Sequence, residues 1–121
     1  MGRILIIDDE PRVRASLRRV LEHQGHEVHE AADGQLGVAA FGRGSFDVVI
    51  TDILMPNQDG IETIRELRRR HPSVKIIAMS EDDEQPVPLY LRIARELGAD
   101  EVLMKPPAEP RVAEAVTACL P

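Results

Sequence analysis

The sequence predicts an α/β domain, a doubly wound five-stranded parallel sheet with helices on both faces. Three observations predict it. Short β-branched runs, Ile4-Leu5-Ile6-Ile7 and Val48-Val49-Ile50, are apolar along their whole length, as strands covered on both faces are. Segments between the strands carry apolar residues at helical spacing. The connections are too short for anything except right-handed crossovers onto one sheet.

Taken in order, the first strand is Ile4 to Ile7, and Pro11 opens a helix marked by Val13, Leu17, Val20 and Leu21. His26 to Glu30 follows as a strand after the turn at Gly25. Asp33 then precedes a helix whose apolar positions are Leu36, Ala39 and Ala40. The third strand, Val48 to Ile50, leads through Asp59 to a helix carrying Ile61, Ile64 and Leu67. Val74 to Met79 is the fourth strand, ending in Ser80, and Val87 to Leu97 the fourth helix, closed by Gly98. Glu101 to Met104 is a short fifth strand, and Val112 to Leu120, opened by Pro110, the last helix. The second and fifth strands carry polar residues and suit the edges, which is met by the order 2-1-3-4-5. That is the flavodoxin-like order, whose switch point lies at the carboxyl ends of the first and third strands.

At 121 residues the chain has the size of one domain, expected to span 1–121 with no repeat or linker. A 43% hydrophobic and 30% charged composition is that of a folded soluble protein. The net charge of −6 excludes a general electrostatic grip on nucleic acid. A lone Cys119 allows no internal disulfide and reads as a small core filler in a reducing compartment. MGRILII is too short an apolar run for a signal peptide or membrane span, and Ile6 stands where a myristoylation motif wants Ser or Thr. A cytoplasmic location is expected.

Polar groups stand at the strand ends: Asp8-Asp9-Glu10, Asp52, Ser80 and Lys105. In the order above they converge on one crevice, where carboxylates packed together repel unless a cation joins them. Mg²⁺ suits an all-oxygen set better than a soft metal does, with Mn²⁺ as an alternative ion. Lys105 adds a compact positive charge and Ser80 a hydroxyl donor, a set that fits phosphoryl transfer to a carboxylate. Asp52 is the best nucleophile candidate. Singly each residue has a plainer use, since acidic residues favour a helix N-terminus and Asp is a common turn residue. Their joint placement favours the chemical reading.

Asp8-Asp9, Asp52-x-x-Met55-Pro56, Asp59-Gly60, Ser80, Gly98-Ala99-Asp100 and Lys105-Pro106, in this order, resemble the receiver domain of bacterial two-component response regulators. The likeness covers essentially the whole chain. It implies a phospho-accepting Asp52, Mg²⁺ on Asp8 or Asp9, Asp52 and the backbone carbonyl of Leu54, and a phosphoryl group contacted by Ser80 and Lys105. It also implies a partly cis Lys105-Pro106 bond and a histidine kinase or phosphotransfer protein as donor, the domain being no turnover enzyme. Two positions depart from the pattern. Val102 stands where receivers place a Tyr or Phe that moves on switching, and Glu81 follows Ser80 and opens an acidic stretch through Asp82, Asp83 and Glu84.

Elsewhere, Arg65, Arg68, Arg69 and Arg70 read as a solvated basic face, and His23, His26 and His29 share no single face for a metal. In the fourth helix Val87, Leu89, Tyr90, Leu91, Ile93, Ala94 and Leu97 cover roughly 200° of the circumference, wider than a core stripe needs. In receivers the fourth helix, fifth strand and fifth helix often form the dimer or output surface, which places Leu89 and Ile93 in such a contact. Two rival readings remain: a receiver-fold interaction module without a working switch, and a Mg²⁺-dependent phosphohydrolase using Asp8, as in the haloacid dehalogenase-like group. The second wants an Asp where this chain has Glu10, and a cap domain for which there is no room.

Overall fold

The protein is described by a computed structural model covering residues 2–53, 60–81, 89–105 and 107–120, with 81 and 89–91 placed only as members of their strand and helix. Its elements alternate as β1 (Arg3–Ile7), α1 (Pro11–His23), β2 (Glu27–Ala31), α2 (Gly34–Arg43), β3 (Val48–Asp52), α3 (Gly60–Arg70), β4 (Lys75–Glu81), α4 (Leu89–Glu96), β5 (Glu101–Lys105) and α5 (Glu109–Cys119). The strands form one sheet in the order β2-β1-β3-β4-β5, every pair parallel, as the sequence predicts.

Because successive strand residues face opposite sides, each apolar run feeds two cores. Leu5, Ile7, Val49, Ile76 and Ala78 meet Phe41, Ile64, Leu67 and Ala94 of α2, α3 and α4 on one side. Ile4, Ile6, Val48, Ile50, Ile77 and Met79 meet Leu17, Leu21, Val112, Val116 and Cys119 of α1 and α5 on the other. Burying each such Leu or Ile contributes about 1.5–3 kcal/mol, so the central strands hold the layers together. Cys119 is a buried core thiol, as expected.

Four expectations are corrected. In α2, Leu36 is half exposed and Ala39 exposed, and the buried face is Gly34, Gly37 and Phe41. A methyl group on Gly37 would lie 2.3 Å from Ile7 Cδ1, so the helix sits too close to β1 for a side chain there. The fourth strand starts at Lys75 and runs through Ser80 to Glu81, because pairing of Ser80 with Met104 and Glu81 with Lys105 carries the ladder past the apolar run. The second strand begins at Glu27, since the His26 amide still donates to Leu21 O at the end of α1. Arg68 is no solvated residue, and its guanidinium donates to Pro72 O, Val74 O, Gly98 O and Asp100 Oδ2 at 2.6–3.1 Å.

Several expectations fall outside the described residues: the Leu54 carbonyl, the Met55-Pro56 turn and Asp59, the acidic stretch Asp82 to Glu84, Val87, the Lys105-Pro106 bond, and the side chains of Glu81, Leu89, Tyr90 and Leu91. Of the proposed contact surface, Ile93 is half-buried and Met104 on β5 is 42% exposed.

Candidate functional site

The site is built at the carboxyl ends of β1, β3, β4 and β5. Asp8 follows β1 directly and is fully buried. Its amide donates to Ala31 O at 3.1 Å, its carbonyl accepts from Arg14 Nη1 at 2.7 Å, and its Oδ1 accepts from the Glu10 amide at 2.9 Å. Its Oδ2 is the one buried side-chain polar atom among the described residues that lacks an aligned hydrogen-bond partner. What Oδ2 meets is the ammonium of Lys105, an ion pair at 2.8 Å.

Asp52, the last residue of β3, is 4% exposed. Its carbonyl accepts from Thr51 Oγ1 at 3.0 Å, and the next amide, that of Ile53, donates to Met79 O at 3.0 Å. The Gly60 amide, at the start of α3, donates to Ile53 O at 2.7 Å. A methyl group at Gly60 would fall 2.2 Å from Asp52 O and 2.4 Å from Ile53 Cα, which explains glycine at this close approach.

Lys105 ends β5 with its side chain almost wholly enclosed, and its Nζ lies 3.0 Å from Asp52 Oδ2 and 3.9 Å from Glu10 Oε1. Asp8 and Asp52 therefore face each other across one nitrogen. Burial pushes the Lys105 pKa down, but the close pairing with Asp8 and Asp52 outweighs it, and the ammonium is held above its ordinary value. Ser80 is buried in β4, the strand between β3 and β5, one residue beyond the Met79 that pairs with Asp52.

Three residues singled out in the sequence thus converge, Asp8, Asp52 and Lys105, and Ser80 lies buried on the intervening strand. Asp9 joins through the acidic cluster, in which Asp8, Asp9 and Glu10 have ligand oxygens within 4.8 Å of one another. Glu10 was not among the expected metal holders, and its place was legible only as a third acid in a run. A buried carboxylate oxygen without an aligned donor, in an all-oxygen set with two exposed acids beside it, fits a hard divalent ion. Val102, opposite Ala78 in the β4–β5 ladder, packs its half-buried side chain on the core shared by α2, α3 and α4.

Residues 4–117 match the family described as the response regulator receiver domain. The chain belongs to that family. Among curated relatives of this receiver, the transcriptional regulatory protein TcrA of Mycobacterium tuberculosis is 37% identical over 86% of the chain and 40% of its own length. The transcriptional regulatory protein CpxR of Klebsiella pneumoniae is 35% identical over 88% of the chain and 44% of its own length. The receiver thus spans less than half of these relatives. Part of it, 64%, also matches a sensor kinase, CckA of Brucella abortus, at 40% identity. Among solved structures, the chemotaxis protein CheY4 of Vibrio cholerae superposes with a TM-score of 0.89 at 26% identity, covering 99% of both chains. A response regulator receiver domain protein of Clostridium thermocellum gives 0.88 at 30% identity, over 99% of this chain and 94% of that one. Receivers are signalling modules and not a catalytic enzyme family, which sets the phosphohydrolase reading aside. Among the described residues, no helix is long and apolar enough to cross a membrane.

Proposed function

We propose that residues 1–121 act as one receiver unit in which Asp52 accepts a phosphoryl group from a histidine kinase, a phosphotransfer protein or a small acyl phosphate. The observation that carries this reading is the ammonium of Lys105 shared between two buried carboxylates, one of them with an oxygen left without an aligned hydrogen bond. A carboxylate oxygen of Asp52 attacks phosphorus. The bond from phosphorus to the donor nitrogen or acyl oxygen breaks, and its electron pair leaves with the donor. Lys105 then exchanges Asp52 for a phosphoryl oxygen, and Ser80 supplies a hydroxyl donor from β4. Asp8 and Asp9, with Asp52 and the Leu54 carbonyl, would hold Mg²⁺ or Mn²⁺, which neutralises charge on the transferred group.

The added charge then biases a conformational equilibrium. Val102 offers no ring to swing inward, which supports a second reading, a receiver-fold interaction module whose output does not follow phosphorylation. The acidic stretch from Glu81 to Glu84 supports slow or strongly Mg²⁺-dependent labelling. A cytoplasmic site of action fits the donor class. Contact with a second copy or an output partner is proposed for α4, β5 and α5, through Leu89 and Ile93.

One experiment tests the set: incubation with an acyl phosphate over a range of Mg²⁺, comparing native protein with Asp52→Asn, followed by sedimentation of the labelled and unlabelled forms. Label in the native protein alone, dependent on Mg²⁺, is expected. Equal label in Asp52→Asn would overturn the acceptor. Label without any change in sedimentation would favour the second reading.

A further inference from the structure

Asp8 is held more completely than a metal-site carboxylate needs for packing alone. Its amide, carbonyl and Oδ1 each have a protein partner, and only Oδ2 faces Lys105. Two of those three partners are local backbone groups of β2 and the α1 entry. The third is a side chain six residues away, Arg14, whose Nη1 bonds the Asp8 carbonyl at 2.7 Å while its Nε bonds Glu30 Oε1 at 3.0 Å.

Glu30 is itself fixed, because Arg18 Nη1 pairs with its other oxygen and Arg18 Nη2 donates to Val28 O at 3.0 Å. Arg14 therefore has little freedom: its planar fork spans two acceptors, one on the edge strand β2 and one in the site. The Asp8 carbonyl belongs to the planar peptide that joins Asp8 to Asp9, so holding it restrains the plane from which both carboxylates are hung. Outer partners of metal ligands act in this way, by orienting the ligand and not by touching the ion.

We infer that Arg14 is a positioning residue for divalent-metal binding at Asp8 and Asp9, clamping the peptide between them to Glu30 of β2. The inference rests on the metal-dependent reading of the site given above. A charge role and a positioning role predict opposite signs. Arg14 is a cation close to an acidic cluster, so its removal should strengthen Mg²⁺ binding if only Coulomb repulsion mattered. If orientation matters, removal weakens binding even though the site becomes more negative.

The test is a calorimetric Mg²⁺ titration of the native protein, Arg14→Met and Arg14→Lys without phosphodonor, with thermal unfolding and a Mg²⁺ series of acyl-phosphate labelling alongside. Arg14→Met is expected to raise the half-saturating Mg²⁺ concentration about tenfold, within the range seen when an outer partner of a metal ligand is lost. The labelling rate at saturating Mg²⁺ should stay near native, a split between affinity and plateau that general loosening of the fold would not give. Arg14→Lys keeps the charge but replaces the fork by one ammonium, and about a threefold rise is expected. Unchanged or lowered half-saturation in Arg14→Met overturns the inference. Should that variant not fold, a native value in Arg14→Lys overturns it. A native protein that takes up no Mg²⁺ overturns the metal-dependent reading itself, an outcome seen in the native titration before any variant is compared.

Discussion

The two ends of the sheet each set a cation beside a carboxylate, partly exposed at one end and buried at the other, and they are finished differently. At the amino end of β4, Arg68 donates to three backbone carbonyls and to Asp100, and the other role of Asp100 Oδ2 is to accept from the Ile76 amide at 2.9 Å. Each group there is satisfied by the chain itself, so the α3, β4 and β5 corner has one arrangement. At the carboxyl end, Lys105 is a point charge between Asp8 and Asp52, and Asp8 Oδ2 has attraction without an aligned hydrogen bond. A planar fork with fixed acceptors makes structure, whereas an ammonium among acids makes a site that an ion or a phosphoryl group can rearrange.

The largest effect expected from breaking this contrast is at the closed end. Arg68→Ala should lower unfolding stability by about 3 kcal/mol, because it removes four hydrogen bonds from a charged donor and leaves the part-buried carbonyls of Val74 and Gly98 without it. Urea unfolding measures that loss, and the Mg²⁺ half-saturation of the variant should stay native. A matching loss of Mg²⁺ affinity would mean that the two ends are not separable.

Lys105→Met acts at the open end and should behave otherwise. Without metal it leaves two buried carboxylates facing each other, and about 2 kcal/mol of stability should go, less than for a sealed ion pair because exposed Asp9 and Glu10 keep the site near water. Mg²⁺ should then raise the melting temperature of the variant more than that of the native protein, since no ammonium competes for Asp8 and Asp52. Equal shifts in both proteins would show that Lys105 does not occupy the place a metal takes.

The same contrast explains what the sequence disclosed. The central strands were legible because an apolar run with no polar face can only be covered on both sides. The site residues were legible because polar groups following such runs must share one end of a parallel sheet. Arg68 was not, since within Arg65 to Arg70 nothing separates a solvated arginine from one inserted between α3 and the turn after α4. The buried face of α2 was misread for a related reason: Gly34 and Gly37 carry no hydropathy signal, and their role is the closeness they permit to Ile7. Arg14 and Glu30 stand on different elements at no telling spacing, so their bond is visible only once β2 lies beside α1.

The smallest effect, nil at neutral pH, compares how the two ends hold a proton. Cys119, near the closed end, is pushed from an ordinary 9.0 up to about 11, by burial first and by Asp100 and Glu101 second. Lys105 is also raised, above 10.5, but there burial opposes the shift and the pairing with Asp8 and Asp52 causes it. Both groups bind their protons more tightly folded than unfolded, so both contribute stability that is complete below the unfolded pKa and lost as pH rises through the folded one. The windows differ: loss from Cys119 begins near pH 9.0 and is complete near 11, and loss from Lys105 begins only near 10.5. Cys119→Ala should therefore be less stable than native by a constant amount from pH 7 to 9, with the gap narrowing above that by at most about 1.4 kcal/mol per pH unit. Lys105→Met should keep the loss that starts near pH 9.0, because its Cys119 is unchanged. A gap that stays constant up to pH 10.5 would mean that the thiol at the closed end ionises as freely as in the unfolded chain, and that this end is more open to water than its packing implies.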